Sequence, residues 1–540
     1  MKLTREGIKD RTFWEKAGIR LPSYDIEEAV KQGKAHPEWL HFGTGNIFRM
    51  FLAQIGDRLL EDGRMKGGML CAAPHDFESL EKIYDPCDNL ILAVTLLADG
   101  TAKKQVLGSV AEAVRADSQD TACWSRMKEI FSDPGLRMIS FTITEKGYAL
   151  QGTDGDFFPE VQKDLEQGPA HPASAMAKVC ALLLCRYQAG VFPLAAVSMD
   201  NCSKNGERLK QALFQVGSEW KKRGFVDEGF LGYLSDESRI SFPWTMIDKI
   251  TPRPSESVYQ ELRGLGLEGM EPVVTKKNTY IAPFVNGEGP QYLVIEDRFP
   301  NGRPALEAAG VYLTDRQTVS RTERMKVTAC LNPLHTALAV FGCLLGYTLI
   351  ADEMKDEELK KLVWVIGQKE GLPVVEEPGI LSSQEFVREV LTERLPNPHM
   401  PDTPQRIATD TSQKVGIRFG ETIKAWVRRD GSAGMLTAIP LAIAGWLRYL
   451  LAVDDEGNRF EPSPDPMLSE LQAHVQGLTP GQPEEIHERL IPILSSQELF
   501  GSDLYQAGIG GRIEEMFREM TAGPGAVRKT LKKYLQGMEI

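Results

Sequence analysis

The chain has 540 residues, which at about 150 residues per domain means two to four domains and enough material for a sizeable core. It is 42% hydrophobic and 25% charged, with 49 Gly and 32 Pro spread along its length, which excludes wholesale disorder and collagen-like repeats. Setting 62 basic against 75 acidic side chains leaves a net charge of −13, a field that repels phosphate backbones and anionic membranes, so neither nucleic acid nor membrane is an expected partner.

The first residues, MKLTREGIKDRTFWEKAG, alternate charged and apolar groups without the continuous apolar core of a secretory signal. The eight cysteines form no CxxC pair and none stands beside a histidine at zinc-ligand spacing. Both features fit a cytoplasmic protein with free thiols and no metal site.

From residue 40 the pattern is a strand (LHFGTG), an amphipathic helix (IFRMFLAQIGDRLLEDG) and a second strand (GGMLCAA), which is the grammar of a parallel sheet covered by helices. Gly43, Thr44 and Gly45 sit at the strand-to-helix turn, where small residues let a dinucleotide pyrophosphate approach the free N–H groups of the helix start. Asn46, Ile47 and Phe48 complete that first turn as candidate cofactor contacts, although Phe48 occupies the position of the third glycine in GxGxxG and a plain tight turn would need the same two glycines. The acid that would hold a ribose, at the end of the second strand, is Asp76, which favours NAD mildly over NADP.

Further strands are expected at 90–97, 136–143 and 194–199, with a buried helix at 173–187. Thr144 and Glu145 follow the strand at 136–143, at the sheet edge where open α/β sheets bind ligands; Glu145 could equally pair with Lys146 or cap a helix. Asp200 and Asn201 end the next strand and precede Ser203 and Asn205, either as a solvated turn or as a carboxamide donor facing a ligand. The run TYIAPFVNGEGPQYLVIED reads as two extended segments about a Gly-Pro turn, a hairpin at a mixed sheet edge.

Beyond about residue 320 strand signals fade. Helical patterns follow at 334–351, 355–370, 383–394, 434–453, 467–477 and 512–537, with linker-like Pro-rich pieces at 396–404 and 461–466. The resulting expectation is an α/β chain: a Rossmann-type, partly mixed parallel sheet domain over 1–320 and a mostly helical domain over 321–540, with the chemistry in the cleft between them.

Residues 327–351 carry no formal charge over 25 positions, long enough to span a bilayer, yet Asn332, Pro333, His335 and Thr336 lie inside, so buried core containing chemistry is the better reading. Lys326 enters this apolar segment; a lysine among apolar neighbours has its pKa drawn toward neutrality, which suits a general base on an alcohol. Asn332 and His335 are three residues apart and share a helix face, unless Asn332 is only a helix cap and His335 a satisfied core histidine. Arg406 and Lys414, with Arg418 beyond them, could hold hydroxyl or carboxylate oxygens or lie solvated on the surface.

In order along the chain, FGTGNIFR (42–49), TITEKGY (142–148), SMDN (198–201), MIDKITP (246–252), VIEDRFPNGRP (294–304), the Lys326, Asn332 and His335 group, and RIATDTSQK (406–414) together resemble the polyol-specific long-chain dehydrogenases, the mannitol dehydrogenase family. The resemblance implies an NAD(P)-dependent oxidoreductase without a metal, in which Lys326 is the general acid/base and Asn201 and Asn332 polarise the reacting oxygen. It also implies that His335, Asp248, Arg406 and Lys414 position the substrate and that Glu323 serves the proton path of the lysine.

Arg406, Lys414 and Arg418 favour a sugar acid such as fructuronate/mannonate, with tagaturonate, mannitol, or a non-catalytic dinucleotide sensor as alternatives. No feature specifies an oligomeric state. Five residues, 327–331, separate Lys326 from Asn332 where the family usually has four; a one-residue π-bulge just before Pro333 is the expected compensation.

Overall fold

The computed structural model describes residues 1–478 and 483–539. The chain divides into two compact units, one of residues 1–96 with 101–320 and the other of residues 97–100 with 321–540.

The first unit is built on a six-stranded sheet of β1 (Trp39–Phe42), β2 (Met69–Ala73), β3 (Val110–Arg115), β4 (Met138–Phe141), β5 (Leu194–Ser198) and β6 (Ile240–Ser241). Its order is β3-β2-β1-β4-β5-β6 and every neighbouring pair is parallel. This is the doubly wound dinucleotide-binding order, which reverses direction at β1 and opens a crevice beyond the strand ends there. Strands β1, β2 and β4 are buried at every position, and β5 likewise, as a sheet covered on both faces requires. One covering helix is α1 (Ala53–Glu61); another, α2 (Ala175–Gly190), is nearly all apolar and buried along most of its length.

In this unit the strand pairing differs from the sequence expectation in two places. The strand expected at 90–97 forms over Ile91–Leu96 but joins a separate four-stranded sheet, antiparallel to Ala102–Leu107 and parallel to Phe284–Glu288. The two runs about Gly289 and Pro290 do not pair as a hairpin: Tyr292–Glu296 instead pairs antiparallel to Thr245–Asp248 and parallel to Tyr312–Thr314. Each run is apolar enough for a buried strand, and burial in different sheets outweighs the local turn.

The second unit is helical. Its central helix α4 (Asn332–Leu344), continuing the chain from α3 (Arg316–Met325), packs on α5 (Ala438–Tyr449), and both α4 and α5 are buried almost throughout. The span Arg316–Leu344 is long and apolar enough to cross a membrane by composition, but 78% of its most apolar window is buried inside the structure.

The helix expected at 334–351 ends at Leu344 because Gly346 takes φ +76°, and Ile350–Glu353 is a separate turn. The helix expected at 512–537 is broken between Met520 and Ala526, where Gly523 and Gly525 adopt positive φ around Pro524. The Pro-rich pieces are not linkers. Asn397, Met400 and Asp402 are buried, and Ser463 donates to Gln405 O at 2.6 Å, so these prolines stiffen ordered loops.

Candidate active site

In the first unit, the chain leaves β1 through Gly43, whose φ of +135° suits glycine alone. A Cβ there would stand 2.6 Å from Thr142 Oγ1 and 2.7 Å from Thr142 O. Gly45 differs: nothing lies within 4 Å of where its Cβ would be, so no internal packing demands a glycine. Open space over a helix N-terminus is what a pyrophosphate needs to reach backbone N–H groups.

Thr44 Oγ1 lies 3.0 Å from Ser79 Oγ, and Thr44 O accepts from Tyr84 OH at 3.0 Å. Asn46 donates to Pro252 O at 3.3 Å, while its buried Oδ1 has no partner among the described residues. Ile47 is half-buried against the core, and the Phe48 side chain is wholly internal, so Phe48 can offer a ligand only its backbone N–H. Behind them Arg49 is buried, donates to Pro283 O at 2.7 Å and faces the Tyr84 ring, with Nε and Nη1 unpartnered among the described residues.

Asp76, beyond β2, accepts from Thr275 Oγ1 at 2.8 Å. Phe42, Pro74, Ala116, Ile143 and Met176 form a narrow apolar crevice beyond the ends of the same strands. The residues present therefore fit a dinucleotide: a glycine cradle, a helix start and a carboxylate at one sheet edge.

Thr144 has φ +65° and ψ 161°, a strained conformation for a β-branched residue. It is held there by Asp200, whose carboxylate accepts from Ile143 N at 3.0 Å, Thr144 N at 2.9 Å and Tyr148 OH at 2.5 Å. Burial raises the Asp200 pKa, and these three hydrogen bonds oppose the rise. Glu145 pairs with Arg208 at 2.6 Å rather than with Lys146.

Asn201 is exposed after Asp200. Asn205, part of the polar cluster in the sequence, is instead buried and saturated: Nδ2 donates to Asp200 O, Thr245 O and Thr245 Oγ1, and Oδ1 accepts from Gly206 N and Thr245 N. It ties the Asp200 turn to the strand that ends in Asp248, which is 7% exposed.

In the second unit, α3 runs into a π-helical segment, Lys326–Cys330, before α4. The sequence expected a bulge next to Pro333; the structure opens it at Lys326 itself. Lys326 and Cys330 are buried and Glu323 is half-buried.

Asn332 is the first residue of α4, with Leu331 rather than Asn332 in the capping position. Its carbonyl accepts from Thr336 Oγ1 at 3.1 Å, and its carboxamide makes no hydrogen bond with the described residues.

His335 lies 4.0 Å from Asp402, which also pairs with Arg406. Burial lowers the His335 pKa to about 4; Asp402 opposes this, whereas Arg394, Arg418 and Arg406 add to it. Arg418 donates to Thr336 Oγ1 at 2.5 Å, and burial brings its pKa down to about 10. Lys414 donates to Thr409 O at 2.5 Å; its pKa is lowered by burial and then by Arg418, with Arg406 contributing.

The structure thus brings His335, Arg406, Lys414 and Arg418 into one positive field. The sequence reading missed Arg394 and Asp402: the Asp402 to Arg406 spacing of four was visible, whereas nothing local marks Arg394.

Residues 37–308 match the mannitol dehydrogenase Rossmann domain, and residues 318–521 match the mannitol dehydrogenase C-terminal domain. The D-mannonate oxidoreductase of Thermotoga maritima is 54% identical over 536 residues, 99% of each chain. The mannitol 2-dehydrogenase of Pyricularia oryzae is 30% identical over 519 residues, 93% of each. Among solved structures, Pseudomonas fluorescens mannitol 2-dehydrogenase in ternary complex with NAD and D-mannitol aligns with a TM-score of 0.69 at 24% identity, covering 99% of this chain and 100% of that one. Substrate-free D-sorbitol dehydrogenase aligns with a TM-score of 0.77 at 24% identity, covering 98% of this chain and 100% of that one, so both share the fold. The chain belongs to the mannitol dehydrogenase family.

Proposed function

We propose that this protein is an NAD-dependent D-mannonate oxidoreductase, interconverting mannonate and its keto-acid fructuronate, with the reducing cytoplasm as its setting. The observation that carries the sugar-acid reading is the field at His335, where Arg394, Arg406 and Arg418 all act against protonation. Four cations, counting Lys414, set against three carboxylates, Asp402 at His335 and Asp410 and Asp465 at Lys414, leave one net positive charge, which matches a single substrate carboxylate. The full-length relative named D-mannonate oxidoreductase points the same way.

Gly43 to Phe48 would receive the pyrophosphate, Asp76 a ribose, and Thr144 and Glu145 the far side of the cofactor. Asp76 is the reason to expect NAD before NADP. When bound, the nicotinamide accepts or gives the hydride.

The remaining work falls to side chains. Lys326 exchanges the hydroxyl proton as general acid/base, with Glu323 on its proton path. Asn201 and Asn332 donate to the reacting oxygen, whose growing negative charge fixed carboxamides stabilise without reorganisation. His335, neutral at working pH, joins Asp248, Arg406 and Lys414 in fixing the substrate. Residues 1–320 bind the cofactor and add Asn201 and Asp248 to the substrate contacts, and residues 321–540 supply the remaining substrate and proton-transfer groups.

The test is NADH oxidation with fructuronate, tagaturonate and fructose in parallel, with Lys326→Ala as control. Turnover of fructuronate that is lost in the variant supports the assignment. Preference for tagaturonate or fructose moves the activity to a sister enzyme, and no turnover with either nicotinamide cofactor rejects it.

A further inference from the structure

A buried chain of hydrogen bonds runs beneath the cofactor loop. Trp39 Nε1 donates to Ser140 Oγ at 2.7 Å, Ser140 Oγ lies 2.7 Å from His41 Nδ1, and His41 Nε2 lies 2.8 Å from Thr142 Oγ1. Trp39 and His41 alternate along β1, and Ser140 pairs with His41 across to β4, so the period of two puts the chain on one sheet face. The His41 ring also stacks on Phe48 at 4.6 Å and 8°, which ties it to the helix that follows the glycines.

The direction of each bond follows from the donors available. An indole N–H only donates, so Ser140 Oγ accepts from Trp39. Ser140 is fully buried, and the acceptor in reach of its own proton among the described residues is His41 Nδ1. His41 therefore carries its proton on Nε2 and donates to Thr142 Oγ1. The opposite tautomer would direct two protons at Ser140 Oγ and orphan the Ser140 hydroxyl proton away from water, an arrangement buried polar groups avoid. Burial drives the His41 pKa down to about 3, so the ring stays neutral and the order of the chain does not change at working pH.

At the end of this chain the Thr142 proton is not used on His41, and no described residue accepts it. Thr142 is half-buried, and its hydroxyl lies directly beneath the first glycine of the cradle, 2.6 Å from the position a Gly43 Cβ would take. We propose that Thr142 is a further dinucleotide-binding residue, its hydroxyl donating to an oxygen of the cofactor beside Gly43, and that His41 is its positioning residue. This rests on the cofactor reading above and not on the identity of the sugar.

Two measurements test it. Nitrogen NMR of the 15N-histidine-labelled protein without ligands, with His41 assigned by its loss in His41→Gln, should show a neutral ring protonated on Nε2 and unchanged between pH 5 and 9. Calorimetric titration with NADH should show Thr142→Val binding about tenfold more weakly, a loss of the size expected for one hydrogen bond, with Thr142→Ser restoring it. Circular dichroism confirms that both variants fold. A proton on Nδ1, or wild-type NADH affinity in Thr142→Val, overturns the proposal. Absence of NADH binding by the wild-type protein overturns it together with the cofactor reading, whereas a different sugar preference changes only the substrate assignment.

Discussion

The backbone N–H of Leu331 donates to the carbonyl of Lys326 at 3.1 Å, a bond spanning five residues instead of four. The wider turn takes up one residue. In an uninterrupted α-helix each residue advances the side chain by about 100°, so six steps from Lys326 to Asn332 would turn the lysine away from the face it shares at five. The π segment returns Lys326 to the phase it would have with four intervening residues, and the bond from His335 N to Leu331 O resumes regular helix immediately afterward.

Deleting Val327 should therefore be tolerated better than lengthening the segment. The shorter chain can close as ordinary α-helix with Lys326 still in phase, and kcat should stay within about tenfold of wild type. An alanine inserted after Val327 leaves nothing to absorb it and should lower kcat by about 100-fold, the scale of a misplaced catalytic group. Equal losses in the two variants would show that the bulge does not set the phase.

Replacing Arg418 by Met should separate sugar acids from neutral sugars. Losing a hydrogen bond to a charged oxygen costs about 1.5–3 kcal/mol, a rise of roughly 10- to 100-fold in KM for the hexuronate with kcat less affected. KM for fructose should hardly move. Parallel increases for both substrates would mean that Arg418 supports Thr336, to which it donates at 2.5 Å, rather than a carboxylate.

The contribution of His335 to stability should rise with pH between about 4 and 6.5. His335 has its folded pKa lowered to about 4, against about 6.5 in an unfolded chain, so across this window the unfolded state holds more proton and the native state gains as pH increases. His75, lowered to about 4 by burial and then by Lys178 and Lys277, and His41 contribute in the same sense. Urea unfolding of His335→Asn across this range should show a shallower slope than wild type; an unchanged slope would place the His335 proton elsewhere.

Much of this was readable from residues because local pattern and global fold agree. The all-apolar strands, the Gly43 turn and the buried 173–187 helix satisfy propensity and burial together. Partner choice between strands was not readable: Ile91–Leu96 is as apolar as any strand of the parallel sheet, and only tertiary packing sends it to another. Site residues with unusual surroundings were named by motif, but what holds them was hidden. Asp200 stood in a marked motif, but nothing in it showed that its carboxylate would hold Thr144, and Arg394 near His335 comes from a segment whose own sequence carries no functional signal.

Glu353 is a costly group in the helical unit. It is fully buried, and neither carboxyl oxygen has a partner among the described residues. Burial, and then the charge of Asp356, push its pKa well above the ordinary carboxylate range. The unfolded chain ionises near pH 4.3 while the folded one keeps the proton, so its contribution to stability is fully present below that pH and is lost as pH rises toward the folded value. Glu353→Gln removes the titration and should raise Tm at pH 8 more than at pH 5. The same carboxyl explains the small residue facing it: a methyl on Gly342 would collide with Glu353 Oε1 and also meet Pro404. Gly342→Ala alone should therefore cost about 1–3 kcal/mol by overpacking. In a Glu353→Ala background part of that cost should vanish, because the nearer of the two colliding groups is gone while Pro404 Cγ remains at 2.7 Å. A strictly additive double-mutant cycle, together with equal Tm changes at the two pH values, would show that Glu353 is neither buried against Gly342 nor held protonated.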